Sequence, residues 1–79
     1  MALGEIVSAN LRSVRQNQGL SQETVARKAG ISVSYISMLE RGERTTPLDT
    51  LEALAKALGV SPLYLLQELE GNPKSRRRR

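Results

Sequence analysis

Residues 22–41 read QETVARKAGISVSYISMLER, and their pattern decides the fold. The apolar side chains Val25, Ala29, Ile31, Ile36 and Leu39 fall where two short amphipathic helices would share one buried face, with Gly30 where the chain must turn sharply. Ala26 occupies the place where two helices packed at a steep angle cross, and a large or branched side chain there would push them apart. Amphipathic helices joined by a glycine turn also occur in ordinary helical hairpins. Such a hairpin does not require cap, turn, crossing residue and apolar positions to agree over all twenty residues.

The same punctuation continues in both directions. Gly19, Gly30, Gly42, Gly59 and Gly71 each close a stretch of helical periodicity. Three starts share one device, a serine cap whose apolar predecessor packs on a residue five positions later: Leu20 with Val25 around Ser21, Ile31 with Ile36 around Ser32, and Val60 with Leu65 around Ser61. A further helix is expected to open at Thr46-Pro47-Leu48-Asp49, with Pro47 at the first helical position and Asp49 supporting the helix start. Apolar rows Leu3, Val7, Leu11, Val14, then Leu51, Leu54, Ala55, Leu58, and finally Leu65, Leu66, Leu69 complete the pattern. No segment alternates as a strand would. The expected architecture is all-α, five short helices in one compact domain over residues 1–71, followed by a basic tail, 72–79, expected to be disordered when free.

Composition narrows the functions available. With no cysteine and no histidine, the chain has neither a disulfide framework nor a thiolate metal site, and it lacks the commonest general base. It offers no phosphate-binding glycine loop and no carboxylate pair in a plausible pocket, so no enzymatic activity, metal or cofactor is expected. No apolar run has the length of a membrane span, and the first twelve residues lack the layout of a secretory signal, which implies a soluble, cytoplasmic protein. The net charge of +4 is misleading: residues 72–79 hold five of the twelve basic residues and no acidic one, leaving seven basic against eight acidic residues in the body. Local placement of Arg and Lys therefore matters more than bulk charge.

The set Gly19-Leu20-Ser21-Gln22-Glu23, Val25-Ala26, Gly30-Ile31-Ser32, Tyr35-Ile36-Ser37, Leu39-Glu40-Arg41-Gly42, Pro47 and Leu58-Gly59-Val60 resembles the phage-repressor-like (Xre/Cro) helix-turn-helix family over roughly residues 5–70. The resemblance implies a lambda-repressor-like domain with its helix-turn-helix at the second and third helices. It also implies a homodimer that binds a palindromic operator in double-stranded DNA and regulates transcription. The short chain looks most like the small repressors and the controllers of restriction-modification genes. An antitoxin, or a protein-interaction or coactivator module on the same fold, is the alternative, because a fold alone does not fix function. An RNA adaptor is disfavoured by the two aromatics in the whole chain.

Roles follow from the helical step. If Ile36 and Leu39 face the core, Ser34, Ser37, Met38 and Arg41 turn outward, with Ser32 and Val33 at the leading end, so these six are the candidate base contacts in a major groove. Ser32 can instead act only as a cap, and Met38 can pack internally. Many relatives carry Gln or Arg at the positions of Val33 and Ser34; the short side chains here leave more of the specificity to DNA shape or dimer spacing. Gln22, through the resemblance, and Tyr35, Arg44 and Thr45 are candidate phosphate contacts, whereas Arg27 and Lys28 read as a solvated face. Arg15 and Glu40 resemble the buried ion pair that joins the first helix to the end of the third in relatives. The last helix is the expected dimer seam, with Leu63, Tyr64 and Gln67 available to a partner and Tyr64 equally able to serve the core. The Arg76–Arg79 run is either a non-specific DNA contact or a solubilising tail.

Overall fold

Glycine closes the first four helices in one way. In a computed structural model, which describes residues 2–69, the N–H groups of Gly19, Gly30, Gly42 and Gly59 bond the carbonyl three residues back. The N–H of the next residue reaches the carbonyl five back: Leu20 to Arg15, Ile31 to Ala26, Glu43 to Met38 and Val60 to Ala55, at 2.9–3.1 Å. This double closure satisfies carbonyls that the end of a helix would otherwise leave unpaired, and it needs the left-handed backbone that all four glycines adopt. Gly71 and the basic tail lie outside the described residues.

The elements so delimited are α1 (Leu3–Asn17), α2 (Gln22–Ala29), α3 (Val33–Glu40), α4 (Leu48–Leu58) and α5 (Pro62–Leu65), and the described residues are otherwise turns and connections. Ser21, Ser32 and Ser61 cap their helices as expected, each hydroxyl accepting from the backbone N–H three residues on, at Thr24, Tyr35 and Tyr64. Leu20, Ile31 and Val60 thus have two tasks. Each completes the closure of one helix, and each packs, partly buried, against the core that holds Val25, Ile36 and Leu65 at the start of the next.

Three local expectations change. Pro47 does not occupy the first helical position: with φ −62° and ψ 155° it is the residue before the helix, and its carbonyl accepts from the Leu51 N–H at 2.8 Å. Its ring suits the extended φ there as well as a helical one, so sequence alone cannot separate the two positions. Leu3 is 55% exposed, and Ile6 is buried instead. The last helix stops at Leu65, although the apolar row runs on to Leu69.

The physical reason for that stop comes from α1. Asn10 is fully buried, and its Nδ2 donates to the carbonyls of Leu65 (2.8 Å) and Gln67 (2.6 Å). A side-chain amide meets backbone acceptors that a longer helix would have paired internally, and the chain passes on in a non-helical turn that still lets Leu66 and Leu69 pack on the core.

One apolar cluster unites the five helices: Val7, Leu11 and Val14 from α1, Val25 and Ala26 from α2, Ile36 and Leu39 from α3, Leu51, Leu54, Ala55 and Leu58 from α4, and Leu65 from α5. α2 packs on both α3 and α4, while α1 touches α3, α4 and α5. Ala26 is 2% exposed within this cluster, which accounts for the small side chain. The result leaves one side of α3 uncovered.

Candidate nucleic-acid interface

α3 is positioned from both ends. At its start the Ser32 hydroxyl is engaged by the Tyr35 N–H at 3.0 Å, and Ile36, Leu39 and Glu40 point inward. At its finish Glu40 is tied to α1: Arg15 Nε and Nη2 donate to the two carboxylate oxygens at 2.7 and 3.0 Å. Gln22 Nε2, from the first residue of α2, adds a third donor at 3.0 Å, and Arg15 Nη1 closes the cluster on the Leu20 carbonyl at 2.8 Å. The two charged side chains are only 12% and 3% exposed. A fork-to-fork pair of this kind is directional as well as strong, so it fixes the angle of α3 relative to α1 and α2.

The expected reading residues are not equally available. Val33 (41% exposed), Ser34 and Arg41 are open, and Ser32 is exposed with its oxygen already serving the cap. Ser37 and Met38 are half-buried. Ser37 Oγ accepts from Arg41 Nη1, so its hydroxyl is turned along the helix towards Arg41. Among the expected phosphate contacts, Arg44 and Thr45 are exposed in the connection between α3 and α4, Tyr35 is half-buried against the core, and Gln22 is half-buried with its amide drawn back to Glu40. Arg27 and Lys28 are exposed in the last turn of α2.

A feature missed in the sequence lies at the end of this face. Glu43 receives Arg41 Nε and Nη2 at 2.8 and 3.1 Å, an exposed pair across Gly42. The bond from Arg41 holds the Glu43 carboxyl below its usual pKa, opposed by desolvation and helped by the charge of Arg41; the bond to Glu43 and then its charge raise that of Arg41. Both groups therefore stay ionised at neutral pH. The spacing of two residues gave no helical signal for this pair, since such neighbours do not face each other within a helix. It forms because the chain has already turned at Gly42.

At α5, Leu63 (68% exposed), Tyr64 (41%) and Gln67 present a second open surface, while Leu65 is wholly buried. The open side of α3 thus offers an apolar contact at Val33, a hydroxyl at Ser34 and a guanidinium fork at Arg41. Those groups suit a thymine methyl, a base-edge hydrogen bond, and a guanine or phosphate respectively.

Comparison with known proteins fits this geometry. A model of the helix-turn-helix family HTH_3 matches residues 11–65. The uncharacterized HTH-type transcriptional regulator y4dJ of Sinorhizobium fredii is 40% identical over 73 residues, 92% of this chain and 95% of its own. The control protein C.SmaI of Serratia marcescens is 46% identical over 66 residues, 84% of this chain and 79% of its own. Among solved structures, the restriction-modification controller protein C.AhdI of Aeromonas hydrophila superposes with a TM-score of 0.74 at 40% identity, covering 80% of this chain and 94% of that one.

Proposed function

The chain belongs to the helix-turn-helix family of Xre-like regulators, and from that premise we propose that it regulates transcription by laying α3 in the major groove of duplex DNA. The observation that carries this reading is the capped, outward face of α3, held at a fixed angle to α2 by Ala26 beneath and by the Arg15–Glu40–Gln22 cluster at the side. Val33, Ser34 and Arg41 are the leading base readers, with Ser32, Ser37 and Met38 beside them, and Gln22, Tyr35, Arg44 and Thr45 grip phosphates on either side.

A single short helix reads few base pairs, so the protein acts as a homodimer through Leu63, Tyr64 and Gln67 and recognises a palindrome whose half-sites mirror its two-fold axis. The similarity to the control protein C.SmaI and the restriction-modification controller protein C.AhdI supports a controller-type role, which we place in the cytoplasm with the chain's own promoter as a target. The test is fluorescence anisotropy of the full chain with duplex DNA from upstream of its own reading frame and with a scrambled duplex of the same composition. Preference for the upstream DNA by about 1,000-fold or more supports the reading, in the range of specific regulators. Equal affinity for the two contradicts it.

A further inference from the structure

Three of the four double closures place an apolar residue directly after the glycine, and Leu20, Ile31 and Val60 all pack, partly buried, on the core. A hydrophobic contact at that position is the usual companion of this closure. The closure of α3 departs from it. There the residue is Glu43, charged and with its side chain 52% exposed.

Its backbone is nonetheless held firmly. Gly42 adopts φ +76°, and the bonds Gly42 N–H to Leu39 O (3.1 Å) and Glu43 N–H to Met38 O (3.0 Å) turn the chain back along α3. The carboxylate is thereby aimed at Arg41, which it engages at both oxygens, while Ser37 Oγ accepts from a third nitrogen of the same guanidinium. Arginine carries five N–H donors, so three are taken and two are left. The arrangement gives the guanidinium three bonded nitrogens and one defined orientation at the exit of the reading helix.

We propose that Glu43 is a specificity-determining residue: held by the closed turn, it orients Arg41 so that the remaining guanidinium donors read a guanine, and it offsets the cation's attraction for phosphates at random sequence. The inference rests on the reading of α3 as a DNA-contacting helix. Its chemistry has two parts. A guanine edge offers two acceptors to a fork whose direction is already set, so the carboxylate can stay in place while the base is read. A phosphate at an arbitrary site offers mainly charge, which Glu43 partly neutralises, so non-specific binding loses more than specific binding does.

The test compares the full chain with Glu43→Gln, Arg41→Ala and the double variant. Glu43 is exposed, so each variant should keep its fold, which thermal melting monitors. The probes are a duplex selected by the wild-type chain from a random-sequence library and a scrambled duplex of equal composition, titrated at several salt concentrations. Glu43→Gln should bind the scrambled duplex several-fold more tightly, while the ratio of selected to scrambled affinity falls about fivefold or more, the scale of one bidentate base contact. Repeating the selection with Glu43→Gln should relax one guanine position. In the Arg41→Ala background the same change should leave the ratio unaltered.

If Glu43→Gln strengthens binding to both duplexes by one common factor, or changes neither, Glu43 merely repels DNA or has no role, and the proposal is overturned. If instead the wild-type chain selects no sequence, it is the DNA-binding reading that has failed. If Arg41→Ala leaves the ratio intact, Arg41 is no base reader and the proposal falls with it.

Discussion

Arg15→Ala removes the group that keeps Glu40 neutralised. In the native chain the Glu40 carboxylate, 3% exposed, accepts three N–H donors, two of them from Arg15. The substitution leaves only Gln22 Nε2 facing a buried negative charge and also strips the Leu20 carbonyl of its side-chain donor. Breaking a buried pair from one side costs about 3–5 kcal/mol, because the surviving charge stays desolvated without its partner. A 79-residue domain has roughly 4–12 kcal/mol of stability in total, so much of it disappears. At about 4–8 °C per kcal/mol for a domain of this size, the lower figure already predicts a fall in Tm of roughly 12–24 °C. Circular dichroism melts at neutral pH measure it. A control separates charge from volume: Arg15→Met with Glu40→Met, which fills the space without burying a lone ion, should recover most of the loss. A Tm for Arg15→Ala within about 2 °C of the parent, set against that scale, would mean that Glu40 does not depend on Arg15 for its stability in the core.

Other substitutions probe separate joints. Asn10→Leu leaves the Leu65 and Gln67 carbonyls without their donor and should cost about 2–4 kcal/mol, read by urea denaturation; a neutral outcome would mean that α5 is held by apolar packing alone. Ser32→Ala removes the cap of α3 and should lower stability by about 1 kcal/mol. If the hydroxyl serves only as a cap, sequence preference in DNA titrations stays unchanged, whereas a relaxed position in the recovered site would show that it also reads a base. Leu63→Lys places a charge on the exposed α5 surface and should yield a monomer by sedimentation at high micromolar concentration with little change in Tm; a persistent dimer would locate the seam elsewhere.

How much of this was legible in the sequence depends on the range over which each feature acts. The serine caps and glycine closures are decided within six residues, so Ser21, Ser32, Ser61 and the turns at Gly19, Gly30, Gly42 and Gly59 could be read directly. Ala26 was legible because only a small residue suits a helix crossing. The approach of Arg15 to Glu40 came from family resemblance, since spacing alone cannot bring together positions 25 residues apart. Asn10 escaped notice although its signal is visible afterwards: it lies three and four residues beyond Val7 and Ile6, a polar side chain on an apolar stripe. Its partners are 55 and 57 residues away, and they explain why α5 ends before its apolar row does. On the reading face, helical steps identified the outward side but not what its members do to each other. Ser37 and Arg41 bond along α3, and Glu43 joins them only through the left-handed turn at Gly42, a tertiary consequence with no helical period.

Selection of binding sites for the full chain from random duplex DNA shows whether the α3 face of a two-fold dimer reads sequence. A dimer that reads through α3 should recover a palindrome whose half-sites are centred about 10–10.5 base pairs, or a multiple of that, apart, and should lose that enrichment when Ser34 and Arg41 are both replaced by alanine. A pool that remains random after repeated rounds, or one whose palindrome survives the double replacement unchanged, would contradict that reading.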